Sequence, residues 1–354
     1  MNFASSTRFF PYVRREAVAS DNSYRLSTLV VARGDPAVRH ATFRLEIRPF
    51  ESHTARRKVT YSIIGRDSTT GDIGVLLASF YYGCAPRTLL ANAGVGIVVM
   101  QMVPEMRYGT LGIARMSDGE HPSTILTELT STDDSRGIRQ VAMMCVDGSV
   151  SAYTGAGCIP YSGHLIGNNC CAQGAMVARE NVWTEVARSF ESSTGALPDR
   201  LISAMRAGDL AGGDIRGRRA AAMLVVSGAP QESWVRARPI DIRIDDHPDP
   251  LAEVERHLAI QRQMVAIELA FERGLGGDIA GAVGDYARIA QHAPEDPDVT
   301  MRYAIMLALS GRIEDAREQL QTMASVHSGW AEVPDRLIAA GLLLDDSRLR
   351  NIVV

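Results

Sequence analysis

Residues 59–79 read Val-Thr-Tyr-Ser-Ile-Ile-Gly-Arg-Asp-Ser-Thr-Thr-Gly-Asp-Ile-Gly-Val-Leu-Leu-Ala-Ser. Two apolar runs, 59–65 and 73–79, flank a cluster of Asp, Ser, Thr and Gly at 67–72. Such runs bounded by turn formers read as the two strands of a hairpin. Working outward, the same text recurs. Residues 93–101 form a third apolar strand built with small side chains. Residues 141–146 and 150–154 form a second hairpin around Asp147-Gly148, a pair that favours a tight turn. Residues 172–177, 220–226 and 240–244 read as further strands. Helical spacing occupies 108–116, 122–129, 181–191 and 198–207, the last opening with Pro198 in its first turn. Strands, then helices, then strands again predict an α+β fold. Its antiparallel sheets would be covered by helices on both outer faces.

Three segments follow from this reading. Residues 1–58 form an Arg-rich extension with no sustained period, in which only 28–32 and 41–47 have strand character. Residues 59–245 form the main domain. After Asp245-Asp246-His247-Pro248-Asp249-Pro250 the composition turns helical, and 246–354 form a tail. Within it, 251–273 read as one long helix. Gly277-Asp278-Ile279 then aligns with Gly311-Arg312-Ile313, and Ala282 with Ala316, at a spacing that resembles the tetratricopeptide repeat. About two such units are present. They need the first domain, a protein partner or a second copy of the chain to complete a core, so a homo-oligomer or a partner on residues 251–345 is expected.

Composition excludes several classes. The net charge is −4 and hydrophobic residues make up 46%, which argues for a folded protein and against general nucleic-acid binding. Eleven basic residues against five acids give residues 1–59 a net +6, leaving −10 for the rest. No apolar run approaches the ~20 residues that span a bilayer, and residues 1–30 contain no signal-peptide core, so a cytoplasmic location is expected. Lys58 is the single lysine. Arginine does not give up its proton near neutral pH. Chemistry that needs a lysine base, Schiff base or phosphate clamp is therefore excluded from residues 59–354. The five cysteines, Cys84, Cys145, Cys158, Cys170 and Cys171, contain no CxxC spacing and read as reduced core thiols. His247 among three aspartates suggests a metal site, but its two prolines suit a stiff turn, with Asp249 capping the helix that opens at Pro250. No metal and no cofactor are expected.

Polar residues cluster in several segments: TYSIIGRD (60–67), GDIGV (71–75), AGVGIVVMQ (93–101), YG (108–109), RQV (139–141), TGAGCIPYSGH (154–164), QG (173–174), GGDIRGR (212–218) and RIDDHPDP (243–250). Together, and in this order, they resemble the DUF1028 family. That family is a bacterial and archaeal group of uncharacterised proteins placed with the N-terminal-nucleophile (Ntn) hydrolase fold. The resemblance spans about 190 residues. It implies a four-layer αββα Ntn-hydrolase-like sandwich, to which this chain adds the small helical, tetratricopeptide-like tail. Members of the family begin Met-Thr-Phe/Tyr-Ser-Ile, which implies that Thr60 corresponds to their first residue after Met removal. Three origins for residues 1–58 follow: a start at a GTG codon for Val59, a propeptide cut before Thr60, or a stable extension with no N-terminal nucleophile. The family's Asn after Gln-Gly is Ala175 here, and its Gln after GGDxRGR is Arg219. Both departures bear on the substrate.

The chemistry implied is hydrolysis of a small amide or peptide-like metabolite through an acyl-Thr60 intermediate. A hydroxyl nucleophile needs a base, and a free α-amino group, with a pKa of about 7.7–8.0, supplies one without lysine. An oxyanion needs donors aimed at its developing charge. Gln101, Asn168 and Gln173 are candidates, together with N–H groups near 94–96 or 155–157. Asp214 either orients the terminal amine or caps a turn. Arg66, Arg216 and Arg218, with His164, are candidates for binding substrate, and the arginines are equally suited to bridging Asp67 and Asp214. The alternative is a non-catalytic Ntn-fold scaffold with a protein-binding tail. A thiol enzyme using Cys158 is a more distant third.

Overall fold

The computed structural model describes the chain from Thr60 onward, apart from residues 233, 294–295, 327, 342–346, 351 and 353–354. Of residues 1–59 it describes only 17–20 and 23–26. Two units are present, Met1–Arg57 and Lys58–Val354. In the first, β1 (Ala17–Ser20) pairs antiparallel with β2 (Ser23–Leu26), a hairpin the sequence pattern does not announce. The runs 28–32 and 41–47 lie outside the described residues.

The second unit opens with β3 (Thr60–Arg66) and β4 (Ile73–Ser79). Next come α1 (Ala85–Thr88), β5 (Leu89–Asn92), β6 (Gly96–Met102), α2 (Met106–Ser117), α3 (Pro122–Ser131), β7 (Arg139–Cys145), β8 (Val150–Thr154), β9 (Gly163–Gly167) and β10 (Cys170–Gly174). The chain continues through α4 (Val182–Ser192), α5 (Leu197–Leu210), β11 (Ala220–Val226), α6 (Trp234–Ala237) and β12 (Ile240–Ile244). It ends in α7 (Pro250–Leu275), α8 (Ile279–His292), α9 (Pro297–Leu309), α10 (Ile313–Val326), α11 (Val333–Ala339) and α12 (Ser347–Arg350). Six strands form one sheet in the order β12-β11-β4-β3-β10-β9, and four form another in the order β5-β6-β7-β8. Every neighbouring pair in both is antiparallel.

Alternation along each strand decides what faces what. On β3, Tyr61 and Ile63 join a core with Val186, Phe190 and Leu201 of α4 and α5, while Ile64 faces the other way. Ile64 meets Ile73 and Val75 of β4 and Ile97, Val99, Ala142 and Met144 of the four-stranded sheet, so the two sheets share an apolar interior. Val98, Met100, Val141 and Met143 point outward under Tyr108, Met116, Ile125 and Leu129 of α2 and α3. Cys170 and Cys171 fall on opposite faces of β10, in different cores. That geometry keeps the vicinal thiols apart.

Two strands absent from the sequence reading, β5 and β9, are the outermost members of their sheets and only partly buried. An outer strand packs on one neighbour, so its pattern is weakly constrained. The expected strand at 172–177 is shifted to Cys170–Gly174, because Ala175 leaves the ladder after donating its N–H to the Thr60 carbonyl.

The expected long helix is present as α7. Asp249 caps it by accepting the Ala252 N–H, with Pro250 in the first turn, as the turn reading of 245–250 requires. Leu251, Val254 and Leu258 pack in the core of the six-stranded sheet, whereas Ile267 and Ala270 pack in the core of the helical region. One continuous helix therefore belongs to both cores. The 34-residue spacing is visible in equivalent places. Gly277 and Gly311 both take positive φ, 104° and 89°, just before α8 and α10, and Ala282 and Ala316 are both fully buried. Among the described residues, no helix is long and apolar enough to cross a membrane.

The packing of β3 on α4 and α5 is tight enough to test. A Cβ on Gly65 would collide with the Phe190 ring and press on Leu201. Gly65→Ala is expected to cost about 1–3 kcal/mol, read from urea unfolding. Adding Phe190→Leu to the same chain should recover part of that loss, because the two changes share one contact.

Candidate active site

The inner face of the central strands changes from apolar to polar toward one common end. On β3 the inward residues run Ile64, Ser62, Thr60. On β4 they run Ile73, Val75, Leu77, Ser79. The same change takes β10 from Cys171 to Gln173, β6 from Val99 to Gln101, β7 from Ala142 to Gln140, and β8 from Ala152 to Thr154. Register aligns these residues. Thr60 lies opposite Ser79, Ser62 opposite Gln173, and Gln173 opposite His164. In the other sheet, Gln101 lies opposite Gln140 and Gln140 opposite Thr154.

The two rows are stitched together across the interior. Thr60 Oγ1 donates to Ser79 Oγ at 3.1 Å. Gln101 Nε2 donates to Ser62 Oγ. Gln140 Nε2 reaches Thr154 Oγ1 at 3.1 Å, the Gly163 carbonyl at 3.0 Å and the Gly174 carbonyl at 2.9 Å. Gln173 Nε2 donates to the Val99 carbonyl at 3.3 Å. His164 Nδ1 and Thr154 Oγ1 are 2.8 Å apart. Thr60, Ser62, Gln101, Gln140 and Gln173 are each at most 1% exposed. The Oε1 atoms of Gln101, Gln140 and Gln173 are buried without a hydrogen-bond partner. Burial lowers the His164 pKa, because it disfavours the imidazolium, so the layer is held neutral.

Loop 212–219 closes the same end. Asp214 bridges to Val177 and accepts from the Phe80 N–H at 3.3 Å. Its carboxylate takes Arg216 in two-pronged fashion, at 3.1 Å from Nε and 2.9 Å from Nη2. Arg216 also lies over the Phe80 ring, 5.2 Å from its centre. Asp214 and Arg216 are thus each other's partners at the Thr60 end, the bridging arrangement named from sequence. Arg219 forms its own two-pronged pair with Asp246. Ala175 is fully buried.

Of the sequence candidates, Thr60, Gln101, Gln173 and His164 meet in this layer, with Asp214 and Arg216 beside it. Arg218 is on the helical side. It binds Asp209 at 2.7 Å and Asp249 at 3.1 Å, in a network that also takes the Tyr61 hydroxyl. Burial raises the Asp209 carboxyl there, despite Tyr61 and Arg218. Arg66 and Asn168 are at the opposite end of the sheet. Arg66 follows Thr60 by six strand residues, about 20 Å at the usual rise, and bonds the Val146 carbonyl and Asn169. Asn168 is in the exposed β9–β10 turn, its N–H on Glu191.

The proposed loop donors also fall away. Gly94 lies before β6, at the far end from Gln101, and donates to the Ser227 carbonyl. The Gly155 and Gly157 N–H groups are taken by the carbonyls of Arg139 and Gly137. Cys158 is half-buried, with its thiol toward the Arg139 carbonyl. Burial pushes the Cys84, Cys170 and Cys171 thiols up to about 12. Ser62, Ser79, Gln140 and Thr154 are the members that sequence reasoning missed. Their signal is a polar residue two places from a candidate, or opposite one, on the buried face of a strand. Two open grooves, one between β12 and α7 and one beside β5, are lined by none of the layer's residues. Among the described residues, no group of three or more His, Cys, Asp or Glu is placed to hold a metal.

A family model described as a family of unknown function (DUF1028) matches residues 60–254. The chain is also similar to the crystal structure of protein SPO2555 from Silicibacter pomeroyi, which matches the same family model. The two are 28% identical, with a TM-score of 0.52, over 57% of this chain and 88% of that one. No curated protein matches.

The strand that presents Gln140 is braced next door. Arg139 Nε binds Asp133 at 2.9 Å, and both are buried. The Tyr108 hydroxyl donates to the same carboxylate at 3.0 Å. The Arg139 hydrogen bond holds Asp133 below the usual carboxylate range. A depressed folded pKa stabilises the fold above the unfolded value, about 3.9, and that contribution is lost as pH falls through the folded one. Asp133→Asn should therefore cost about 3 kcal/mol at pH 7. The gap from the natural chain should narrow below pH ~4, measured by denaturant unfolding across pH.

Proposed function

The chain belongs to the DUF1028 family, and from the polar end of its two-sheet interior we propose that it is an amidohydrolase of the Ntn kind with Thr60 as nucleophile. The observation that carries this reading is the buried layer around Thr60. There one hydroxyl at the start of a strand meets amide groups from both sheets. Helices outside each sheet support a four-layer αββα assignment, and the family match beginning at residue 60 is consistent with Thr60 as a first residue.

In this mechanism Thr60 begins the mature chain. Its α-amine takes the Oγ1 proton, Oγ1 attacks the substrate carbonyl, and the oxyanion is met by the unspent N–H groups of Gln101 and Gln173. The amine leaves with the proton, and water then hydrolyses the acyl-threonine ester. Asp214 and Arg216 hold the loop that closes the site. With residue 59 attached, the amine is an amide and supplies no base. The 1% exposure of Thr60 in the full chain favours the second reading, a scaffold whose helical tail docks a protein partner or another copy.

Intact mass of the protein from its native host, followed by a β-lactone acylating probe, separates the two. A chain beginning at Thr60 should gain one acyl group on that residue, and Thr60→Ala should gain none. A chain that retains Met1 and takes no label would leave only the scaffold.

A further inference from the structure

The interior layer offers more acceptors than donors. Gln140 Nε2 has two hydrogens and faces three acceptors, so this amide is fully spent as a donor and presents only Oε1. Gln173 Nε2 faces a backbone carbonyl, which only accepts, so its orientation is fixed and its Oε1 too is a free acceptor. Gln101 faces a hydroxyl, which can give or accept. The three amides are neighbours. Gln101 lies opposite Gln140, and Gln173 lies opposite Ser62, the residue that Gln101 bonds. The side chains of Thr60, Ser62, Ser79, Gln101, Gln140, Thr154, His164 and Gln173 carry no formal charge, and Asp214 and Arg216 beside them pair with each other, so in the full chain a buried carboxylate would meet no side-chain counter-charge that is not already paired. Inward, the layer stops at the apolar side chains of Ile64, Val99 and Ala142.

We propose that this layer recognises a primary carboxamide, and that the substrates of the Thr60 site are compounds R–CO–NH2 that release ammonia. The inference rests on the nucleophile reading above and narrows its substrate class. The two N–H groups of the carboxamide match the free Oε1 acceptors of Gln140 and Gln173. Its carbonyl takes the unspent N–H groups of Gln101 and Gln173. A carboxylate brings no donor and adds a charge. An N-alkyl amide brings one donor and leaves one of the two oxygens unmet. In the reaction the Thr60 Oγ1–carbon bond forms, the hydroxyl proton passes through the α-amine to the amide nitrogen, and the C–N bond breaks with loss of NH3. Water then adds to the ester carbon, returning a proton to Oγ1 and releasing R–COOH.

The test uses the full chain with propionamide, N-methylpropionamide and propionate as probes, read by thermal unfolding. Propionamide at high excess should raise the midpoint by about 2 °C or more. The other two should not, and Gln140→Met should lose the response. Equal shifts with the N-methyl amide, or none with any probe because water alone meets the orphaned oxygens, overturn the inference. Should Gln140→Met not fold, the three probes on the natural chain decide. Ammonia release from a chain beginning at Thr60 is scored separately. Binding without ammonia removes the nucleophile and leaves the recognition standing. Methylamine released from the N-methyl amide as fast as ammonia removes the recognition and leaves the nucleophile.

Discussion

Gln140 is the clamp on which the interior depends. It sits on β7 of the four-stranded sheet, yet its amide group holds two carbonyls of the six-stranded one, Gly163 and Gly174, as well as Thr154 beside it. Two sheets packed through apolar residues alone are free to slide, because dispersion and hydrophobic burial have little direction. Hydrogen bonds do have direction. The two N–H groups of one buried amide, shared among three acceptors, hold the β9–β10 hairpin against β7 and β8. Gln173 and His164 are thereby set opposite Ser62 and Thr154, and the end of β10 is set beside Thr60. The remaining contacts of the layer follow from that placement.

The polar layer costs stability that the rest of the interior must offset. A buried acceptor without a donor costs about 1–3 kcal/mol, and three are present. The compensation lies in the apolar part of the interior and in the cores on both outer faces. Orphaned buried polar groups in an otherwise well-satisfied protein concentrate where a ligand or water completes them. Their position beside a strand-initial threonine is what turns a packing oddity into a candidate site.

The helical region is coupled to this scaffold through α7 rather than through a flexible joint. Residues on its first half belong to the six-stranded sheet's core, and those on its second half to the helical core. Arg206 on α5 ties to Glu255 at 2.8 Å and Arg262 to Asp199 at 2.7 Å, adding directional contacts along the first half. The core of the helical region is thus built onto a helix already anchored to a sheet.

Much of the architecture was legible in the residues. The strands at 73–79, 220–226 and 240–244 coincide with the structure because each alternates or is wholly apolar and is bounded by turn formers. The long helix from Pro250 and its Asp249 cap are local chemistry and equally readable. Gln101, Gln173 and His164 could be singled out because they are polar residues in otherwise apolar or Gly-rich text, and Thr60 because the family resemblance aligns it with the members' first residue. Ser62 and Gln140 look like ordinary strand residues until register is known. Arg66 and Arg218 look like substrate clamps until Arg66 is found at the far end of the sheet and Arg218 on the aspartates of the helical face. Local patterning, turn chemistry and composition depend on a few consecutive residues, so the sequence alone determined the inner strands and main helices, the antiparallel class and the want of lysine chemistry, but not the outer strands β5 and β9. Which polar residues share one buried layer depends on pairing between strands far apart in the chain, as Ser62 and Gln173 are. Only the tertiary structure decided that, because a shift of one residue in any register would have turned each of those side chains to the opposite face.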